Sequence, residues 1–167
     1  KGIMYFGNSI GLLASDGMEW KLYQTPNASI VRAIAVESHQ TIYSGGSEDL
    51  GRWDRDQSGE LKYTSLKGLI KGDNPLDNQS FWRIWIDGNK VYFQSFSHIY
   101  VYDHQTITPI DGPSAFLLLL KVRSEYWVQE MYGALYQLNN GILGKIPGSE
   151  FLNGTTTVSY THLTLPT

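Results

Sequence analysis

Cysteine is absent from this 167-residue chain, which excludes a disulfide framework, a thiolate zinc site and a cysteine nucleophile. Charge is scarce as well. Charged residues make up 17%, and 13 Lys and Arg stand against 16 Asp and Glu, a formal net charge of -3. Nucleic acids and anionic membranes both call for basic patches, so no nucleic-acid contact is expected of this segment. No apolar run approaches the roughly 18 to 20 residues that span a bilayer, and Phe116–Leu120 reads as a buried strand. No signal peptide opens the chain. It starts at Lys1 rather than Met, inside an apparent strand, which leaves room for a missing N-terminus with its targeting signal. What is present points to strands: 13% aromatics and 17 Gly favour pleated segments and tight turns over amphipathic helices, so the expected class is all-β.

The chain repeats. Four segments align: Ile3–Gly17, Thr41–Arg55, Lys90–His104 and Glu125–Asn139. Each has an aromatic at its third position (Tyr5, Tyr43, Tyr92, Trp127), then a small or polar turn, then a second apolar run. The spacing between these aromatics is within the range of propeller-blade repeats. Near-continuous apolar runs precede three of the couplets, at Ile30–Val36, Phe81–Ile86 and Phe116–Val122, as expected of an innermost strand covered on both sides. A more polar strand follows each couplet, at Trp20–Tyr23, Leu61–Leu66, Thr106–Ile110 and Ile142–Ile146, after turn signals such as Asp16-Gly17 and Asn139-Asn140-Gly141. Four strands per repeat make the blade of a β-propeller. The expected architecture is an incomplete ring of about four four-stranded antiparallel blades within residues 1–157, at about 1–26 (lacking its first strand), 29–66, 80–111 and 115–152. The last ten residues, Val158–Thr167, resemble the in-frame translation of a transposase-type sequencing adapter and are expected to be read-through rather than a domain.

With these pieces laid out, the chain resembles the regulator-propeller ectodomain of bacterial two-component sensors, the type often followed by a three-tyrosine-motif domain. Gly11–Tyr23, Ser29–Val36, Ile42–Gly46, Lys90–Asp103 and Gly148–Gly154 carry the resemblance in order. Ser44, Ser47-Glu48 and Arg52 depart from it. The resemblance implies a periplasmic sensor domain of an inner-membrane regulator in a Gram-negative bacterium, homodimeric at full length. Its remaining blades, three-tyrosine domain and cytoplasmic output lie outside this segment. That output is a histidine kinase feeding a phosphorelay or a helix-turn-helix regulator of transcription. The implied ligand is an oligosaccharide released from a complex glycan.

Ligands of such a frame are expected where the turns between second and third strands meet the inter-blade loops. Sugars need several hydrogen-bonding groups beside an aromatic platform, and Asn8, Asp49, His98 and Tyr132 are the candidates in those turns. The favoured reading of each is an ordinary turn residue, solvated or capping its own loop. Arg32 and Arg83 stand at matching places in two innermost strands, where either could clamp an anion bidentately or pair with an acid of the next blade, the favoured reading. Trp82 and Trp85 read as core residues between blades. The five Arg form no cluster beside a Tyr/Glu nucleophile, and His39, His98 and His104 lack metal-ligand spacing. No catalytic residue, metal or cofactor is expected. A glycan-active propeller enzyme, glycosidase or lyase, is the alternative to a sensor.

Overall fold

The computed structural model describes residues 2–72, 76–112 and 114–155, and the expected read-through tail lies outside them. Among the described residues, fifteen strands form four antiparallel sheets, each in simple chain order. Sheet 1 holds β1 (Met4–Asn8), β2 (Gly11–Ser15) and β3 (Trp20–Gln24). Sheet 2 holds β4 (Val31–Val36), β5 (Thr41–Gly46), β6 (Leu50–Arg55) and β7 (Leu61–Ser65). Sheet 3 holds β8 (Arg83–Asp87), β9 (Lys90–Gln94), β10 (His98–Tyr102) and β11 (Ile107–Asp111), and sheet 4 holds β12 (Phe116–Val122), β13 (Glu125–Glu130), β14 (Leu135–Asn139) and β15 (Ile142–Lys145). The chain is all-β, built of four-stranded antiparallel propeller blades, the first with three strands.

Turn chemistry explains the last hairpin of each sheet. Asp16 Oδ1 accepts from the N–H groups of Met18 and Glu19, Asp56 Oδ1 from Ser58 and Glu60, and Asp103 Oδ1 from Gln105 and Thr106, all at 2.7–3.0 Å. In sheet 4 the same turn uses Asn140 and Gly141 at φ 50° and 84°, the left-handed pair that a two-residue hairpin requires. Backbone N–H groups of Glu19 and Thr106 hold Asp16 and Asp103 below the usual carboxylate range, and the Ser58 hydroxyl does so for Asp56. A depressed folded pKa contributes stability that is present above the unfolded value, roughly 3.9, and is lost as pH falls through the folded one. The urea midpoint should therefore hold level down to about pH 4 and then drop. The triple variant Asp16→Asn, Asp56→Asn, Asp103→Asn should show a shallower acid limb; an unchanged limb would contradict this.

Two compact units divide the chain, Lys1–Gly112 and Pro113–Thr167. In the first, sheet 2 is covered on both faces, and strict alternation shows how. Ile42 and Trp53 turn toward sheet 1, where Leu12 and Leu61 join them and Tyr5, Tyr23, Ile34 and Tyr63 close the edges. Tyr43 turns the other way into a cluster with Phe81, Phe93, Tyr100 and Tyr102, packed edge to face at centroid distances of 5.4–6.2 Å. The departures at Ser44 and Arg52 have local reasons. Buried Ser44 accepts the Trp53 indole N–H at 2.7 Å, and Arg52 Nε donates to Asp54 at 2.7 Å. The face of sheet 1 turned away from sheet 2 carries exposed Met4, Phe6, Trp20 and Leu22, with the Phe6 and Trp20 rings 5.6 Å apart.

The second unit is sheet 4 and a 3-10 turn at Ser149–Leu152. Phe116, Leu119, Tyr126, Val128, Ala134 and Leu138 are its buried apolar residues. Ser149 Oγ fastens the turn, donating to Ile146 O at 2.7 Å and accepting from Leu135 N at 3.1 Å. The innermost strands are covered unevenly. In β4, Ala33 and Ala35 pack into the cluster with Tyr43 and Phe93 and Ile34 into the one with Trp53, so both faces are covered there, while Arg32 and Val36, and Val122 at the end of β12, are exposed.

Candidate functional site

Because each sheet is a simple meander, the β1–β2, β5–β6 and β9–β10 turns lie at the same end of their sheets as the first residues of β4 and β8. That end of the first unit gathers Asn8, Asp49, His98, Arg32 and Arg83. Tyr132 occupies the corresponding β13–β14 turn of the second unit, exposed and at φ 60°, its carbonyl accepting from Gly154 N at 2.9 Å.

Asp49 belongs to a cleft. The cleft has a volume of about 360 Å³ and is lined by Asn27 and Ser29 from the link before β4, Ser47 to Asp49 from the β5–β6 turn, Ser65 at the end of β7 and Lys67 just beyond it. Asp49 accepts from the Tyr63 hydroxyl at 2.8 Å and from Ser65 Oγ at 2.6 Å. Burial first, then the Asp49 charge, pushes the Tyr63 hydroxyl well above its ordinary pKa, so it stays a donor. The Tyr63 ring lies against Gly51, where a Cβ would overlap it. The turn itself is pinned by Glu48, whose N–H donates to Gln79 O at 2.8 Å while its carboxylate accepts from Asn78 N at 3.0 Å. Opposite, Thr25 Oγ1 accepts from Ser29 N at 2.7 Å. The walls thus present hydroxyls, the Glu48 and Asp49 carboxylates and the Lys67 ammonium.

The remaining expected residues divide by partner. Asn8 Oδ1 accepts from Ser9 Oγ and Ile10 N, and so caps its own turn. His98 Nε2 stands 3.0 Å from Asp111 Oδ1, while its Nδ1 is buried without a hydrogen-bond partner. Burial, with the Asp111 charge adding to it, pushes the neighbouring Tyr100 hydroxyl up to about 12. Arg32 does reach the next blade, but its partner is aromatic: the guanidinium lies 4.8 Å from the ring centre of Trp82. Trp82 is no core residue; it is 44% exposed and precedes β8, its N–H held by Gln94 O at 2.9 Å. Trp85 is half-buried inside the strand, and so is Arg83. The sequence reading missed Asn27, Ser29 and Lys67 as cleft residues, and Trp82 with Phe96 as an exposed aromatic pair, centroids 5.3 Å apart. Among the described residues, no group of three or more His, Asp or Glu is placed to hold a metal ion.

No protein-family model matches the chain, and no curated protein matches its sequence. Solved structures match it in fold. The extracellular domain of BT4673 from B. thetaiotaomicron, described as a hybrid two-component system, aligns at a TM-score of 0.64 with 16% identity over 87% of this chain and 20% of that one. A second structure of that domain, described as belonging to a one-component system, gives 0.61 and 15% over 89% and 19%. Virginiamycin B lyase from Staphylococcus aureus gives 0.63 and 17% over 89% and 53%. The chain thus spans about a fifth of the extracellular domains and about half of the lyase. At these identities the likeness is one of fold. No helix among the described residues is long and apolar enough to cross a membrane.

Proposed function

We propose that this chain is the ligand-binding part of a sensor propeller in a membrane-spanning bacterial regulator, facing the periplasm and responding to an oligosaccharide. The observation that carries the reading is the polar cleft at the loop end of sheet 2, where Ser29, Ser47, Asp49, Ser65 and Lys67 meet around about 360 Å³. That volume lies within the range of small-molecule pockets, and several fixed donors and acceptors match the dense hydroxyls of a sugar. The likeness in fold to extracellular domains of a signalling system supports the sensor role. In this reading the output is transcriptional, through a phosphorelay or directly. The three-tyrosine domain, the further blades and a homodimer partner are parts of the whole regulator.

A ligand bound only by the folded state stabilises it by mass action, about 2.7 kcal/mol at a hundred times Kd. The chain screened against oligosaccharide digests of plant and host glycans should show a rise in melting temperature and no release of new reducing ends. Lys67→Ala should abolish the rise and leave the melting of the free protein unchanged, since Lys67 is exposed. Asp49→Ala should abolish it and also destabilise by about 1–3 kcal/mol, because it strips the half-buried Tyr63 hydroxyl of its acceptor. Absence of any shift across the panel would sink the sensor reading.

A second reading, a glycan-active enzyme, rests on the fold likeness to virginiamycin B lyase and on the His98–Asp111 pair. A carboxylate orienting a histidine is a general-base arrangement. Here, however, the geometry suits a fastened turn better. With Nε2–H donating to Asp111, the proton-accepting Nδ1 is the buried atom and is not offered to a substrate. New reducing ends or unsaturated products that vanish in His98→Ala would favour the enzyme.

A further inference from the structure

Arg32, Trp82 and Phe96 stand together at the loop end of sheets 2 and 3, with features that turn residues alone do not explain. Arg32 is exposed, and its guanidinium sits 4.8 Å from the Trp82 ring centre; no described residue forms an ion pair or hydrogen bond with its side chain. Trp82 and Phe96 are 44% and 41% exposed, large apolar rings left in water 5.3 Å apart. The backbone beside each is held in place. The Trp82 N–H is bound to Gln94 O at 2.9 Å, and Gln94 is buried. The turn bearing Phe96 is closed by fully buried Ser95, whose N–H and Oγ both bind His98 O, at 2.9 and 3.1 Å, while Oγ also accepts from His98 N at 3.1 Å. Arg32 follows Val31, which packs against Gly7 of sheet 1.

A guanidinium over an indole ring is held there by cation–π attraction and keeps N–H donors for an anion, and its fork of donors is the one that takes a carboxylate bidentately. Exposed aromatic faces beside it offer the apolar face of a sugar ring a stacking surface. We infer that Arg32, Trp82 and Phe96 form a subsite for an acidic sugar, the guanidinium taking a uronate carboxylate and the two rings its pyranose. The assignment rests on the oligosaccharide-sensor reading and narrows it to uronate-bearing oligosaccharides.

The test uses the whole chain on an array of paired oligosaccharides, each uronate-bearing glycan beside its methyl ester. The ester keeps every ring and hydroxyl and replaces the charged carboxylate with a neutral group larger by one methyl. The expected result is binding to the acids, weakened by added salt, with the esters bound more weakly. Arg32→Gln should lose roughly ten- to hundredfold in affinity for the acids, the loss of a charge-assisted contact, and bind acid and ester alike. Trp82→Ala should weaken both forms. Both variants alter exposed side chains, and an unchanged circular dichroism spectrum and melting curve verify that they fold. Binding of acid and ester with equal affinity by the unaltered chain, or an Arg32→Gln variant that keeps the preference, would overturn the subsite and leave the sensor reading standing. Failure of every glycan, acid or neutral, to bind would overturn both.

Discussion

Trp53→Ala is expected to cost about 3–5 kcal/mol, the usual penalty for emptying the site of a large buried aromatic. Trp53 is only 1% exposed, packs 4.8 Å from the Tyr63 ring, and is the largest member of the cluster joining sheets 1 and 2. A domain stable by about 5–15 kcal/mol loses much of its margin in that change. The indole nitrogen adds a second effect that can be separated. Ser44→Ala leaves the buried N–H without an acceptor and should cost about 1–3 kcal/mol alone. In a Trp53→Phe background, where no N–H remains, the same serine change should cost much less, and the double-mutant cycle measures the coupling. Urea unfolding of the unaltered protein and the four variants reads all of this. Additive costs would mean that the 2.7 Å contact contributes nothing to stability. The Asp49 wall should also loosen in Trp53→Ala, since Tyr63 loses the ring it packs against.

The strands were legible because their signal has a short period. Alternation of aromatic and branched residues across Val91–Phe93 and Ile99–Tyr102 corresponds to β9 and β10, and a blade-like sequence of four strands follows from repeating that couplet. The innermost strands were less legible. In Phe81–Ile86 every residue but Arg83 is apolar, so periodicity cannot show that the strand starts only at Arg83. The start is set by longer-range bonds: Phe81 N–H goes to Gly46 O and Trp82 N–H to Gln94 O. Hydrophobicity likewise could not tell that Phe81 is fully buried while its neighbour Trp82 is exposed. Ser44 read as a departure from the family pattern because its partner lies nine residues away on the adjacent strand, in the buried indole of Trp53. The cleft was the least legible part. Ser29, Asp49, Ser65 and Lys67 are dispersed polar residues with no period, brought together by the packing of one sheet and the link before it. Asp49 is legible as a turn residue, but its hold on Tyr63 depends on the register that pairs Trp53 with Tyr63 and Gly51 with Ser65.

Gly46→Ala should be the most damaging single-methyl change in the first unit, and its effect should reach stability and binding together. Three segments meet at this residue. Its N–H donates to Asp49 O and its carbonyl accepts from Phe81 N, both at 3.0 Å, and it stands opposite Val31 in the β4–β5 register. A Cβ there would overlap the Ile30 carbonyl oxygen and lie 2.9 Å from the Ile30 carbon, so no side-chain rotation relieves the clash. Backbone must move. Overpacking costs about 1–3 kcal/mol where side chains can adjust, and a fixed carbonyl places this change at or above the top of that range. The displaced groups are the link bearing Ser29, the turn bearing Asp49 and the residues leading into Trp82, so the cleft and the Arg32 platform should both lose ligand. Gly68→Ala is the control. A Cβ at Gly68 meets nothing within 4 Å and the residue has no positive φ, so the same methyl there should be neutral or add about 0.4–1 kcal/mol by stiffening the unfolded chain. Equal urea midpoints for the two variants would show that Gly46 is not the tight junction its contacts describe. A large loss at Gly46 alone would place the organising centre of the loop end on a backbone crossing rather than on any side chain that touches ligand.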